Sequence, residues 1–222
     1  MILGDNMKKI LVYGDSNVWG DNFLLGQRIP DDKQWVNILQ KKLGEKYKVI
    51  QQGLPGRLAG NDEVEKKYKN GKDTFISIFR TSAPVDKIII ALGTNDLQLK
   101  YNKTTKQIIE DLLWYEKIIR DSYDDLNDRK KYFKDNKMPT IIYLLPINFD
   151  YKDRASKVFN NKCETSRQEI INYFKNNKIS SIICNDLDLF EDGIHLNYNG
   201  HNSLAEFVYN YLISSDEKNK FL

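Results

Sequence analysis

The feature that most constrains the fold is a continuous apolar run over Asp86–Leu92, which includes three consecutive isoleucines and stops at Gly93. Runs that are continuous rather than alternating suit strands that are buried on both faces, as in parallel sheets covered by helices. Shorter apolar runs predict four more strands, at Lys9–Tyr13, Tyr47–Gln51, Thr140–Leu145 and Ser180–Cys184. The chain therefore offers five candidate strands for one buried sheet.

Segments with the apolar spacing of amphipathic helices lie between these strands. They cover Gln34–Leu43, Thr74–Arg80, Thr104–Arg120, Arg154–Asn176 and His201–Ile213. The polar, turn-rich stretch Leu58–Gly71 predicts a surface loop. Alternating strands and helices predict right-handed βαβ crossovers, and hence an α/β fold with a mainly parallel sheet and helices on both faces. Because no linker or repeat divides the sequence, we expect residues 1–222 to form a single domain.

Composition excludes several classes of protein. The chain has 34 basic and 31 acidic residues for a net charge of +3, a balance that does not favour a nucleic-acid partner. Its two cysteines, Cys163 and Cys184, lack the spacing of a metal site and are expected to be reduced structural thiols. The basic pair Lys8–Lys9 precedes an apolar run too short for a signal peptide or a membrane span. We therefore expect a cytoplasmic protein that does not insert into membranes.

Three predicted strands end at or near a glycine, namely Gly14, Gly53 and Gly93. The C-terminal ends of parallel strands share one edge of the sheet, where open α/β sheets bind ligands. Ser16 follows the first of these glycines, and His195 lies just before the last predicted helix. Taken alone, Gly-Asp-Ser is also typical of a turn whose polar side chains cap a helix. Together, these positions predict a hydroxyl and an imidazole at one edge.

Serine hydrolysis needs a hydroxyl nucleophile, a base that titrates near neutral pH and a carboxylate that orients this base. Ser16, His195 and Asp192 supply these three groups, and the Asp-Gly-Ile-His spacing allows the carboxylate and the imidazole to touch within one loop. The reaction also needs donors for the oxyanion. The N–H groups of Ser16 and Gly53 and the side-chain amide of Asn95 are the candidates, and each such donor lowers the barrier by about 2.7–4 kcal/mol.

Four blocks of the chain together resemble the SGNH (GDSL-type) hydrolase superfamily, and its arylesterase and acyl-transfer branch above all. The blocks are Gly14–Gly20 (Gly-Asp-Ser-Asn-Val-Trp-Gly), Gly53–Arg57 (Gly-Leu-Pro-Gly-Arg), Leu92–Asp96 (Leu-Gly-Thr-Asn-Asp) and the pair Asp192 and His195. The resemblance implies a flavodoxin-like, three-layer α/β/α fold with about five parallel strands. It also implies Ser16 as nucleophile, His195 as base, Asp192 as orienter, an oxyanion hole at Ser16, Gly53 and Asn95, and no metal or cofactor.

Several other polar and aromatic residues keep two interpretations. The candidates for substrate binding are Asn17, Trp19, Leu54 and Arg57, although Trp19, Leu54 and Phe149 equally suit the core and Arg57 suits a salt bridge within its own loop. His201 is expected to be a helix residue rather than a second catalytic group. Asp15 and Asp96 are expected to hold their turns through backbone hydrogen bonds, with a metal site built from Asp15, Asp96, Asp192 and His195 as the alternative.

The sequence thus predicts a serine esterase that acts on small, short-chain esters through an acyl-serine intermediate, with a small-molecule ester as its partner. A lysophospholipase-like or thioesterase-like lipolytic enzyme is the alternative. Two further readings are a non-catalytic carbohydrate- or lipid-binding module and a metal-dependent phosphoesterase. The sequence leaves assembly into a homo-oligomer open, and also the choice between water and another acyl acceptor.

Overall fold

A computed structural model describes residues 7–151 and 153–218, and it places seven strands in these ranges. The strands are β1 (Lys8–Gly14), β2 (Asp21–Asn22), β3 (Gln27–Arg28), β4 (Tyr47–Gly53), β5 (Lys87–Ala91), β6 (Thr140–Leu144) and β7 (Ser181–Ile182). Five of them form one sheet in the order β4-β1-β5-β6-β7, and every neighbouring pair is parallel. The other two, β2 and β3, pair antiparallel as a separate short hairpin.

Eight α-helices accompany the sheet within the same described ranges. They are α1 (Ser16–Trp19), α2 (Trp35–Leu43), α3 (Gly71–Ser82), α4 (Thr105–Asp124), α5 (Leu126–Tyr132), α6 (Asp153–Val158), α7 (Asn161–Asn176) and α8 (Tyr198–Lys218). In the part of the chain that the structure describes, none of the helices is long and apolar enough to cross a membrane.

The central strands β1 and β5 are buried on both faces, as their continuous apolar runs predict. Successive side chains of a strand point to opposite faces. In β1, Leu11 and Tyr13 pack with α3, α4 and α7 on one face, and Ile10 and Val12 pack with α2 and α8 on the other. The isoleucines of β5 divide in the same way. The α/β fold class and its three layers are therefore confirmed.

The strand order places a topological switch point beside β1. The chain passes from β1 to β4 on one side and then returns to β5 on the other side. A crevice forms at the C-terminal ends of strands where the order reverses in this way. The residues that follow β1, β4 and β5 meet at that crevice, which is where the sequence places its candidate catalytic groups.

Some predicted elements differ from the structure. The predicted helix Arg154–Asn176 is two helices, because the Asn160 side chain accepts the N–H groups of Lys162 and Cys163 and so starts α7 afresh. The predicted surface loop Leu58–Gly71 begins with residues that are fully buried, Leu58 and Ala59. The sequence did not predict α1 or the β2–β3 hairpin, since each strand of that hairpin has only two residues.

Candidate active site

Ser16 is held by a sharp turn between the central strand β1 and the four-residue helix α1. The Asp15 side chain caps this helix by accepting the N–H of Asn17 at 3.0 Å. A Cβ atom at Gly14 would lie 2.3 Å from Cγ2 of Val18 and 2.7 Å from the carbonyl oxygen of Ala91, so only glycine fits where the turn begins. Ser16 is the first residue of α1 and lies at the C-terminal edge of the sheet.

Ser16, His195 and Asp192 form one chain of hydrogen bonds. The Oγ atom of Ser16 lies 3.0 Å from Nε2 of His195, and Nδ1 of the same ring lies 2.5 Å from Oδ2 of Asp192. The exposed fractions of Ser16, His195 and Asp192 are 5%, 6% and 0%. Water therefore competes little for these contacts, which strengthens them.

The loop between β7 and α8 builds the acid–imidazole pair from its own backbone. Oδ1 of Asp192 accepts the N–H groups of Ile194 at 3.1 Å and His195 at 3.0 Å. Gly193 has a φ of +69°, and a Cβ atom there would lie 2.1 Å from the carbonyl oxygen of Asp150. Burial raises the pKa of the Asp192 carboxyl, but the hydrogen bonds from His195 and Ile194 outweigh burial and hold that pKa below its usual range. Asp192 is therefore ionised when it contacts the ring.

This geometry suits general-base chemistry. An ionised carboxylate at Nδ1 favours the tautomer in which Nδ1 carries the hydrogen, so that the lone pair of Nε2 faces the Ser16 hydroxyl. In that state Ser16 can donate its proton to His195 as its oxygen attacks a carbonyl carbon.

The candidate oxyanion donors lie at the same edge. Gly53 pairs with Gly14 across β4 and β1, and a Cβ atom at Gly53 would lie 2.2 Å from the backbone nitrogen of Trp19. Asn95 follows β5, and its Nδ2 donates to the carbonyl oxygen of Arg57 at 3.0 Å. An amide NH₂ has two hydrogens, so one N–H of Asn95 remains for a substrate. The structure thus brings Gly53 and Asn95 to the edge that holds Ser16.

Two buried carboxylates next to these blocks have structural contacts. Asp15 caps α1, and burial raises its pKa to about 6. Asp96 accepts the N–H groups of Ala59 at 2.7 Å and Gly60 at 3.3 Å and pairs with Lys103 at 2.7 Å. The expected backbone hydrogen bonds are present, although Asp96 holds a neighbouring loop rather than its own turn.

Two of the four candidate substrate-binding residues, Asn17 and Arg57, make hydrogen bonds within the protein. Asn17 joins α1 to the histidine loop, since its Oδ1 accepts the N–H of Leu196 at 2.9 Å. The buried Arg57 donates through Nη1 to the carbonyl oxygens of Gly14 and Gln52, and its guanidinium carbon lies 4.1 Å from the centre of the Tyr13 ring.

The expected salt bridge of Arg57 is therefore wrong, because its guanidinium turns to strand carbonyls instead of a carboxylate in its loop. Trp19 and Leu54, by contrast, are half-buried beside the site. Phe149 is buried and stacks on Phe159 with ring centres 4.4 Å apart, which makes it a core residue.

His201 does not take part in the site. It is a buried residue of α8, its Nδ1 accepts the N–H of Trp35 at 3.2 Å, and burial lowers its pKa to about 3.

The alternative metal site also finds no support in the geometry. Within residues 7–151 and 153–218, no three or more histidine, cysteine, aspartate or glutamate side chains are grouped so that they could hold a metal ion.

One charged residue at the site has no counterpart in the sequence prediction. Oδ2 of Asp21 lies 3.7 Å from Nε2 of His195, on the side of the ring that faces Ser16. Asp21 follows Gly20, the last residue of the first sequence block. An acidic residue directly after that block is the one signal that could have drawn attention to it.

Comparisons with known proteins agree with this architecture. The family model described as GDSL-like lipase/acylhydrolase matches residues 10–208. No curated protein sequence matches the chain.

Solved structures with the same fold include three hydrolases, each at low sequence identity. A carbohydrate acetylesterase family member from Sinorhizobium meliloti is 21% identical with a TM-score of 0.77, covering 93% of this chain and 97% of its own. The aryl esterase of M. smegmatis is 21% identical with a TM-score of 0.70, covering 92% and 99%. The lipase/acylhydrolase of Enterococcus faecalis is 20% identical with a TM-score of 0.62, covering 92% and 94%.

Proposed function

The chain belongs to the GDSL lipase/acylhydrolase family, and from this premise we propose that it is a serine esterase that hydrolyses small, short-chain carboxylic esters. The observation that carries the proposal is the hydrogen-bonded chain from Ser16 through His195 to Asp192. Nucleophile, base and orienting carboxylate in this order are the requirements of acyl transfer through a covalent serine ester.

The proposed reaction uses these groups in two halves. Ser16 Oγ attacks the ester carbonyl as its proton passes to His195 Nε2, and the oxyanion that forms accepts hydrogen bonds from Ser16, Gly53 and Asn95. Collapse of this intermediate breaks the ester C–O bond, and the same proton passes from Nε2 to the leaving alcohol. A water molecule then gives a proton to His195 as it attacks the acyl-serine. The acyl C–O bond breaks as His195 returns this proton to Ser16 Oγ, which releases the carboxylic acid and restores Ser16.

The preference for short acyl groups rests on the sequence. A groove for a long acyl chain would need an extended apolar lining, and the stretch Leu54–Pro84 contains no long apolar run. Acetyl and other short-chain esters therefore suit the proposal better than the long chains of a lipolytic enzyme. The acetylesterase and aryl esterase among the structural neighbours make sugar acetates and aryl esters the first substrates to try.

The test combines covalent labelling with turnover. Intact mass after incubation with a fluorophosphonate should show one adduct, and Ser16→Ala should show none and should lose turnover of 4-nitrophenyl acetate by at least about 10³-fold. Ser77→Ala is the matched control, because Ser77 lies on the exposed face of α3 and should leave both results unchanged.

A series of nitrophenyl esters from acetyl to dodecanoyl measures the acyl preference. We expect the highest kcat/KM at acetyl or butyryl and a steep fall beyond. A maximum at dodecanoyl would favour the lipolytic alternative. Folded protein that neither reacts with the fluorophosphonate nor turns over any ester would refute the esterase and leave a binding module.

A further inference from the structure

Asp21 places a second carboxylate beside the imidazole of His195. Its Oδ2 lies 3.7 Å from Nε2, and its side chain is 24% exposed. In the described ranges, no lysine or arginine nitrogen lies within 4 Å of this carboxylate, and no side chain or backbone group donates a hydrogen bond to it. A half-buried carboxylate with open acceptor positions is therefore directed at the reaction centre.

The hairpin holds Asp21 in place and turns the neighbouring cation away from it. Asp21 pairs with Arg28 across β2 and β3, so an ion pair between them would be the ordinary arrangement. Arg28 instead donates through Nε to the carbonyl oxygen of Trp19 at 2.6 Å. It also donates through Nη2 to Gln34 at 2.8 Å and Gln51 at 2.7 Å. These three anchors fix the base of the hairpin and direct the Arg28 guanidinium away from the Asp21 carboxylate.

The proposed reaction brings the alcohol portion of the substrate to this carboxylate. His195 Nε2 must come within hydrogen-bond distance of the leaving oxygen in order to return the proton. Asp21 lies close to the same nitrogen, so substituents near the leaving oxygen fall within its reach. A carboxylate in a partly desolvated site attracts cations and repels anions more strongly than it would in bulk water.

We propose that Asp21 is an anionic subsite for the alcohol portion of the ester, which selects esters of ammonium-bearing alcohols and rejects esters of alcohols that carry a carboxylate or phosphate. This inference rests on the proposed esterase function. It names a specificity-determining residue for that reaction, and it assigns a substrate class that the triad alone leaves open, since the triad acts only on the ester group.

The experiment compares three phenyl acetates whose 3-substituents carry different charges: trimethylammonio (positive), carboxamide (neutral) and carboxylate (negative). Each kcat/KM is divided by the rate of alkaline hydrolysis of the same ester, which removes differences in leaving-group reactivity. In the unsubstituted parent protein, the ratio of normalised kcat/KM for the cationic ester over the anionic ester should be about tenfold or more. Asp21→Asn should lower this ratio by about tenfold. Asp32→Asn, which removes one charge from an exposed side chain, should leave the ratio unchanged.

A second measurement needs no variant. Raising the salt concentration from about 20 mM to 500 mM should move the parent's ratio toward one, because screening weakens the attraction of Asp21 for a charged substrate. A parent that turns over all three esters with equal normalised rates, or an Asp21→Asn protein with the parent's ratio, would overturn the inference and leave the esterase standing. Absence of turnover and of fluorophosphonate labelling in the folded parent would overturn both.

Discussion

At the scale of single residues, the two oxygens of Asp192 have different partners, and this division determines the state of His195. Oδ1 accepts two backbone N–H groups of its own loop, and Oδ2 accepts Nδ1–H of the ring. In Asp192→Asn, the amide oxygen must accept the two backbone N–H groups, so the NH₂ group faces Nδ1. The ring then carries its hydrogen on Nε2 and cannot accept the proton of Ser16. We expect kcat to fall by about 10³- to 10⁴-fold.

The measurement is turnover of 4-nitrophenyl acetate, with thermal unfolding recorded on the same samples. Because asparagine keeps the shape of the side chain, the folded structure and the KM should change little. An Asp192→Asn protein that keeps more than about a tenth of the parent's kcat would show that the carboxylate does not set the tautomer.

Asp15 gives a pH dependence of stability with a definite sign. Burial raises its pKa to about 6 in the folded protein, against an ordinary value of 3.8. The folded state therefore binds this proton more tightly than the unfolded state. The contribution of Asp15 to stability is greatest below about pH 4 and is lost as the pH rises through 6. At 1.36 kcal/mol per pH unit, the loss amounts to about 3 kcal/mol.

Asparagine at position 15 can still cap α1 but does not titrate. The free energy of unfolding is measured with urea at pH 4.5 and 7.5. From the lower to the higher pH, this energy should fall more, or rise less, in the unsubstituted protein than in Asp15→Asn. Asp32→Asn serves as the control for removing an exposed charge. Equal changes in the unsubstituted protein and in Asp15→Asn would contradict the raised pKa of Asp15 in the folded state.

Sequence patterns predict the contacts of these residues to different degrees. The Asp-Gly-Ile-His spacing predicts a carboxylate and an imidazole in one loop, and the structure shows them in contact, while their catalytic roles stay predictions. The approach of Asp21 to His195 joins residues on two distant loops, and no local pattern encodes it. The turn of Arg57 toward strand carbonyls likewise depends on the packing of β1 against β4.

At the scale of elements, one buried ion network joins the loop after β4, the turn after β5 and the helix α4. Lys103 lies between the two carboxylates, 2.7 Å from Asp96 and 3.0 Å from Asp111. Burial lowers the pKa of Lys103, but the two carboxylates outweigh burial and raise it. Lys103→Met would leave the fully buried Asp96 without its cation. We expect the free energy of unfolding to fall by about 3–5 kcal/mol.

The control is a lysine of the same helix region in a solvent-exposed pair. Lys117 lies 2.6 Å from Asp121, and 72% of its side chain is exposed. Exposed pairs of this kind contribute less than about 1 kcal/mol, so Lys117→Met should change stability little. Similar losses in both variants, measured by urea unfolding at pH 7.5, would show that the network is no more important than a surface pair.

Elements differ in how well the sequence predicts them, and the length of the patterned segment explains the difference. The segments β1, β5 and β6 contain continuous apolar runs, and all five strands of the sheet are predicted to within two residues at each end. The four-residue helix α1 has too few residues for a period, and its position depends on the close approach of Gly53 to Trp19. Short elements held by tertiary contacts leave no periodic signal.

At the scale of the whole molecule, the two faces of the sheet have separate hydrophobic clusters, and each contains one cysteine. Cys163 of α7 belongs to the cluster with α3 and α4, and Cys184 belongs to the cluster with α2 and α8. Both are buried free thiols, and burial raises the pKa of Cys184 to about 12. The α/β topology followed from the sequence, but the expectation of one domain over residues 1–222 stays a prediction, and these thiols can test it.

A thiol reacts as the thiolate and only when solvent reaches it, so labelling of either cysteine requires an opening of its layer. If the two layers unfold together, the one remaining thiol of Cys163→Ala or of Cys184→Ala should react with a disulfide reagent only through global unfolding, and the labelling rate then gives a free energy of opening for each variant. In each variant that energy should equal the free energy of unfolding from urea to within about 1 kcal/mol. Because each variant is compared with its own unfolding energy, the cost of the substitution cancels. A free energy of opening at Cys163 that lies several kcal/mol below the free energy of unfolding, with Cys184 still protected, would show that the layer of α3, α4 and α7 opens on its own.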